Sequence, residues 1–213
     1  SLPKARGPSA AGGVDAARAQ HVECCADVHV TSVPPKAWRP APGGEMLARA
    51  RETLPRLELV AEDLGVITPA VNALRQRFGL PGMRVLQFGF DGDAANLHLP
   101  HAHSADCVVY TGTHDNDTTA GWYASLDTRA RDQVRRYLAR ADHEVLDAML
   151  RAAISSVGVL AVLPMQDILQ LGSGARLNRP GTTTGNWAWR LPAAALTPEL
   201  AVRYRDLNQL FNR

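Results

Sequence analysis

No stretch of this 213-residue chain approaches the roughly 18 consecutive apolar residues of a membrane helix, so no spanning segment is expected. The Ala-, Gly- and Pro-rich start contains no apolar signal core, which argues against a secretion signal. Cysteine is scarce. Cys24, Cys25 and Cys107 are an odd set with an adjacent pair, which makes no disulfide framework and points to a reducing cytoplasm. An excess of one charge is missing too: 23 Lys and Arg against 21 acids leave a net of +2. That balance gives no reason to expect nucleic acid or an anionic membrane as partner. Neither a Gly-x-x-x-x-Gly-Lys loop nor a lysine cluster occurs, so acids holding Mg²⁺ and phosphate are not favoured.

The length suffices for one well-cored domain or two small ones. Residues 1–37 show no sustained helical or alternating apolar pattern and read as a disordered or non-native leader. His21, Cys24, Cys25 and His29 suggest zinc, but the adjacent cysteines lack the gap of a zinc knuckle and no second pair follows. Order is expected over 38–213. Met46, Leu47, Ala50 and Leu54 form a helical stripe, and Thr68-Pro69 opens a second helix with Val71, Leu74 and Phe78 on one face and Gly79 closing it. Asp127 and Asp142 are candidate caps of two further helices, and Thr197-Pro198 starts a last one with Leu200, Tyr204, Leu207 and Phe211 on its face.

Four short apolar runs end in acids or amides. Leu57–Ala61 leads to Glu62-Asp63, and 84–90 to Asp91-Gly92-Asp93. The run 108–110 leads to Thr113-His114-Asp115-Asn116-Asp117, and 159–163 to Pro164-Met165-Gln166-Asp167. Alternating with helices, these predict parallel βα units whose carboxyl ends form one rim, where α/β proteins place their chemistry. Glu62 and Asp115 terminate separate strands, so a barrel would aim both into one cleft. Paired acids suit glycosidic bond cleavage, one protonating the leaving oxygen and another attacking or stabilising the sugar cation. Trp122, Trp187 and Trp189 offer flat faces to sugar rings, or simply fill core. His98, His101 and His103 have a spacing that a transition metal could use, but loop histidines more often hydrogen-bond; no metal or cofactor is expected.

Five motifs carry a resemblance. They are Val60-Ala61-Glu62-Asp63-Leu64-Gly65-Val66-Ile67-Thr68-Pro69, Arg77-Phe78-Gly79-Leu80-Pro81-Gly82-Met83, Thr113-His114-Asp115-Asn116-Asp117-Thr118, Leu177-Asn178-Arg179-Pro180-Gly181-Thr182 and Gly185-Asn186-Trp187. Residues from about 38 to 213 resemble the C-terminal half of a 4-α-glucanotransferase of the amylomaltase (disproportionating enzyme) family. The resemblance implies about four βα units, the C-terminal part of a TIM (β/α)8 barrel, corresponding to strands five to eight. It implies transfer of α-1,4-glucan segments between maltodextrin chains by a retaining double displacement. By motif, Glu62 resembles the general acid/base, Asp115 the transition-state-stabilising aspartate, His114 a substrate hydroxyl contact and Asn178 a sugar-binding amide. The family's nucleophile lies in an Arg-Ile-Asp-His-Phe-like stretch, and no such stretch occurs here. The expectation is therefore a truncated or frame-shifted form, inactive alone, with α-1,4-glucan as its partner. Two other readings fit the same residues: a glucan-binding piece without turnover, and a different retaining barrel hydrolase.

Overall fold

The computed structural model describes residues 41–213, so the expectations for residues 1–37, the zinc set included, lie outside the described residues. The chain divides into two compact units, the first ending at Met83 and the second running Arg84–Arg213. In the first, α1 (Gly43–Thr53) and α2 (Pro69–Arg77) are the helices. Thr68 caps α2 by accepting from the Val71 amide, with Pro69 at the first helical position. The expected face is inward: Val71 and Phe78 are buried and Leu74 half-buried. Asp63 is buried in this unit, 3.7 Å from the Arg75 guanidinium and accepting from the Met83 amide at 2.6 Å. A side chain at Gly82 would lie 2.2 Å from the Asp63 carboxylate, so only glycine fits there. Arg75 also donates to Leu80 O at 2.8 Å, closing the turn that follows α2.

β1 (Gly82–Val85) carries the chain into the second unit, whose sheet has the order β1-β2-β3. β2 (Cys107–Tyr110) runs parallel to β3 (Leu160–Val162), with Val108 opposite Leu160 and Tyr110 opposite Val162. Between them lie α3 (Thr119–Ser125), α4 (Thr128–Leu138) and α5 (Val145–Ile154), the crossover that a parallel pair requires. Val109 on β2, Val134 on α4, and Val145, Met149 and Ala153 on α5 are fully buried in one core with Leu86, Phe90 and Leu99. Each large apolar side chain so placed contributes about 1.5–3 kcal/mol. After β3 come α6 (Met165–Ile168) and α7 (Pro198–Leu210), the latter capped by Thr197. Along this last helix and its cap the half-buried residues are Leu200, Tyr204, Leu207 and Phe211, the face read from the sequence. The Arg213 guanidinium donates to the carbonyls of Ile154, Ser156 and Gly158, tying the chain beyond α7 to the turn before β3.

Several expectations are corrected. Three strands form among the described residues, not four: 57–61 is irregular and joins no ladder, its Ala61 amide donating to Pro81 O at 2.9 Å. The run 84–90 is strand only to Val85, after which Leu86–Gly89 tightens into a 3₁₀ turn. Asp142 is no cap. It starts a 3₁₀ turn, accepts from the Tyr123 hydroxyl and lies 3.5 Å from Arg135, while Glu144 reaches back to the Ala141 amide. Met46 and Leu54 of the expected α1 stripe are exposed, leaving Leu47 and Ala50 as its half-buried members. No helix among the described residues is long and apolar enough to cross a membrane.

Candidate functional site: the loop after the central strand

β2 is buried on both faces, and its chain emerges through Thr111 and Gly112 into the loop that carries His114 and Asp115. The loop is held open by side-chain bonds to its own backbone. Asn116 Oδ1 accepts from both the amide and the hydroxyl of Thr113, at 2.9 and 2.7 Å, an Asx-type turn. Asp117 Oδ1 accepts from the Thr118 amide and its Oδ2 from Ser173 Oγ, both at 2.8 Å. Thr118 then caps α3 by accepting from the Gly121 amide.

A second segment, 176–187, folds against this loop. Asn178 Nδ2 donates to Asp115 Oδ1 at 2.6 Å, and the Asn178 amide donates to His114 O at 3.1 Å. His114 Nε2 lies 3.2 Å from the same Asp115 oxygen. Arg176 spans the pair, donating to Asp115 O at 2.7 Å and to Asn178 O at 2.9 Å. Trp187 lays its ring 5.2 Å from the His114 ring at an interplanar angle of 35°, and its side is 53% exposed. The Trp187 backbone sits at φ +60°, a left-handed conformation costly for a bulky residue, and its amide donates to Leu177 O at 2.7 Å. The carboxylate of Asp115 is 20% exposed and the His114 side chain 52%, so both can meet a solute.

Beside them opens a cleft of about 200 Å³, lined by His114, Asn116, Asp117, Gln166, Asp167 and Arg176 among others. It is smaller than the roughly 300 Å³ at which ligand pockets usually begin. What the arrangement can do chemically is bind vicinal hydroxyls: a carboxylate and an amide oxygen accept, an imidazole and an amide N–H donate, and an exposed indole offers an apolar face.

Of the expected site residues, His114, Asp115 and Asn178 are thus brought together in the second unit. Glu62 belongs to the first unit, where its side chain is exposed while neighbouring Asp63 is buried. Trp187 is the tryptophan placed at the loop. Trp122 instead packs in the core, 5.8 Å from Phe90, and Trp189 is half-buried. The histidines of 98–103 serve structure: His98 Nδ1 accepts from the Val85 amide, His101 bridges Tyr137 and Ala94, and His103 bridges Ser156 and His98 O. Arg176 is not distinguished by the sequence, because nothing in Gly-Ser-Gly-Ala-Arg-Leu-Asn marks it apart from any surface arginine. Asp167, expected on the rim with the other strand-end acids, is buried.

An α/β unit with a parallel pair, a helical crossover and a cluster of polar side chains at the strand's carboxyl end defines the class: an α/β scaffold with its polar loop where such folds bind ligands. A family model described as 4-alpha-glucanotransferase matches residues 14–197, and the chain belongs to that family. It is 48% identical over 184 residues to the 4-alpha-glucanotransferase of Thermus thermophilus, covering 83% of this chain and 37% of that one. It is 44% identical over 180 residues to the chloroplastic/amyloplastic 4-alpha-glucanotransferase of Arabidopsis thaliana, covering 83% of this chain and 31% of that protein. Among solved structures it resembles the amylomaltase from Streptococcus agalactiae in complex with acarbose, with a TM-score of 0.77 and 32% identity over 83% of this chain and 36% of the other. The chain therefore spans about a third of the length of these relatives.

Proposed function

We propose that this chain carries the C-terminal part of a glucanotransferase (β/α)8 barrel and, with the remainder of such a barrel, transfers α-1,4-glucan segments between maltodextrins. The single observation that carries the reading is the meeting of Asp115, His114 and Asn178 under the exposed indole of Trp187. The barrel reading is supported by the parallel β2–β3 pair and by a β3 whose side chains are open to solvent.

In the proposed reaction Glu62, as general acid, protonates the glycosidic oxygen of the donor while a carboxylate attacks the sugar's anomeric carbon. The C–O bond to the leaving chain breaks and a glycosyl ester forms. Glu62, now a base, takes the proton of an acceptor hydroxyl, whose oxygen displaces the carboxylate, so the anomeric configuration is retained. Asp115 and Asn178 hold the ring's hydroxyls by bonds that strengthen as positive charge develops on the ring. The sequence contains no Arg-Ile-Asp-His-Phe-like stretch to supply the attacking carboxylate, so the chain alone is proposed to bind glucan without turning it over.

The test is incubation with maltotriose, alone and with the upstream part of the Thermus thermophilus relative. Glucose and longer maltodextrins are expected only in the mixture. Glu62→Gln in that mixture abolishes transfer and barely changes maltotriose binding. Transfer by the chain alone would overturn the proposal, and so would full activity of the Gln variant.

A further inference from the structure

The loop between β2 and α3 is fastened at both ends by two buried residues that come from elsewhere in the second unit. Asp167, from α6, accepts from the Thr111 hydroxyl at 2.5 Å where the loop begins. Where the loop ends, it accepts from the Thr119 amide at 2.6 Å and the Thr119 hydroxyl at 2.8 Å. Gln87, in the 3₁₀ turn after β1, spans the same two ends. Its backbone N–H donates to Thr111 O at 3.3 Å, and its side-chain Nε2 donates to Asp117 O at 3.0 Å and to Thr119 Oγ1 at 3.4 Å. Gly112 is where the Gln87 side chain passes, since a Cβ there would lie 2.6 Å from Nε2.

From this geometry we infer that Asp167 and Gln87 are positioning residues, which set where His114 and Asp115 stand by pinning the two ends of the loop that carries them. A carboxylate suits the task. It is acceptor-only and takes all three donors at once, whereas the Thr119 hydroxyl can both donate to Asp167 and accept from Gln87. Asp167 lies at a strand end in a cleft, where an acid invites a chemical role, but every bond described for it goes to loop ends. The inference rests on the proposed glucan reading only in saying what the loop is held for.

Its test uses the full chain and two readouts. The first is amide hydrogen exchange, which needs no sugar. Asp167→Ala is expected to speed exchange of amides 113–117 by about tenfold or more, the loss of hydrogen bonds to a charged acceptor, and to leave 108–110 unchanged. The second is maltotriose affinity at a temperature where circular dichroism shows the variant folded. It should fall by about tenfold in Asp167→Ala and stay within about threefold in Asp167→Asn. In the Asn variant the amide oxygen keeps the Thr119 amide and the amide nitrogen donates to both hydroxyl oxygens. Should Asp167→Ala not fold, Thr111→Val, which removes one bond, and Thr119→Val, which removes the hydroxyl's bonds to Asp167 and Gln87, are read the same way. Equal exchange in all variants, or an affinity loss that Asn does not rescue, overturns the inference. Failure of the wild-type chain to bind maltotriose would overturn the glucan reading instead, and exchange alone would still decide the clamp.

Discussion

β2 and β3 are neighbours in one sheet and alike in composition, yet their circumstances are inverted. β2 is buried from Cys107 to Val109 and delivers a part-exposed acid, Asp115, into the loop beyond it. β3 keeps Leu160 50% exposed, with Val159 before it at 61%, and delivers a buried acid, Asp167. The difference follows from pairing. A strand with neighbours on both sides and helices packed against it loses all solvent contact, and its polar end must point out to be hydrated. A strand paired on one side among the described residues leaves its side chains open, and the acid after it turns inward, where hydroxyls and an amide replace the water it gives up.

The largest effect should come from breaking the buried side. Val109→Asp places an unpaired charge in the core and is expected to cost about 4 kcal/mol or more in urea unfolding, against less than about 1 kcal/mol for Val159→Asp. Equal costs would show that β3 is covered in solution. The acids invert that order. Asp167→Ala, leaving three donors without their acceptor, should cost about 3 kcal/mol, while Asp115→Asn should change stability by less than about 1 kcal/mol and weaken maltotriose binding about tenfold. Arg213→Ala, which removes the bonds to Ile154, Ser156 and Gly158 O, should cost about 1–2 kcal/mol and mainly loosen the turn before β3 in hydrogen exchange.

The smallest effects concern pH. His103, bonded to Ser156 Oγ at 2.8 Å, joins the segments that lead into the two strands. Burial holds its imidazole below the usual 6.5. The unfolded chain therefore binds the proton more readily, and the stability is fully present above pH 6.5 and lost as pH falls through the lowered value. His103→Asn should flatten that acid limb. Tyr123 has the opposite sense: burial first, then its bond to Asp142, push its hydroxyl up to about 12 from 10.0. The folded chain holds that proton longer, so stability should fall as pH rises from 10.0 toward about 12, and Tyr123→Phe should remove the slope.

What could be read from the sequence follows the same division. Caps and helix faces were legible because they are local: Thr68 and Thr197 accept from amides three residues on, and α7 shows its inward face at helical spacing. The irregular course of 57–61 was not, since a mostly apolar run reads as a strand whether or not a partner pairs with it. Asp142 was misread because a cap and an ion-pair partner are the same residue type at the same place, and Tyr123 and Arg135 are far from it in sequence. At the site, Asp115, His114 and Asn178 stood out by their motifs. The inward turn of Asp63 and Asp167 did not, because it depends on Met83, Thr111 and Thr119, brought close only by the fold. Sequence marks which strand ends bear acids; packing decides which acid of each faces water.

Trp187 has one more consequence. An indole lying against an imidazole and open to solvent changes its emission when either neighbour changes, so the ring 5.2 Å from His114 gives the molecule its own optical gauge of the proposed sugar site. Trp122, partly buried against the core, and half-buried Trp189 add the background against which that signal is read, and no dye or label has to be attached.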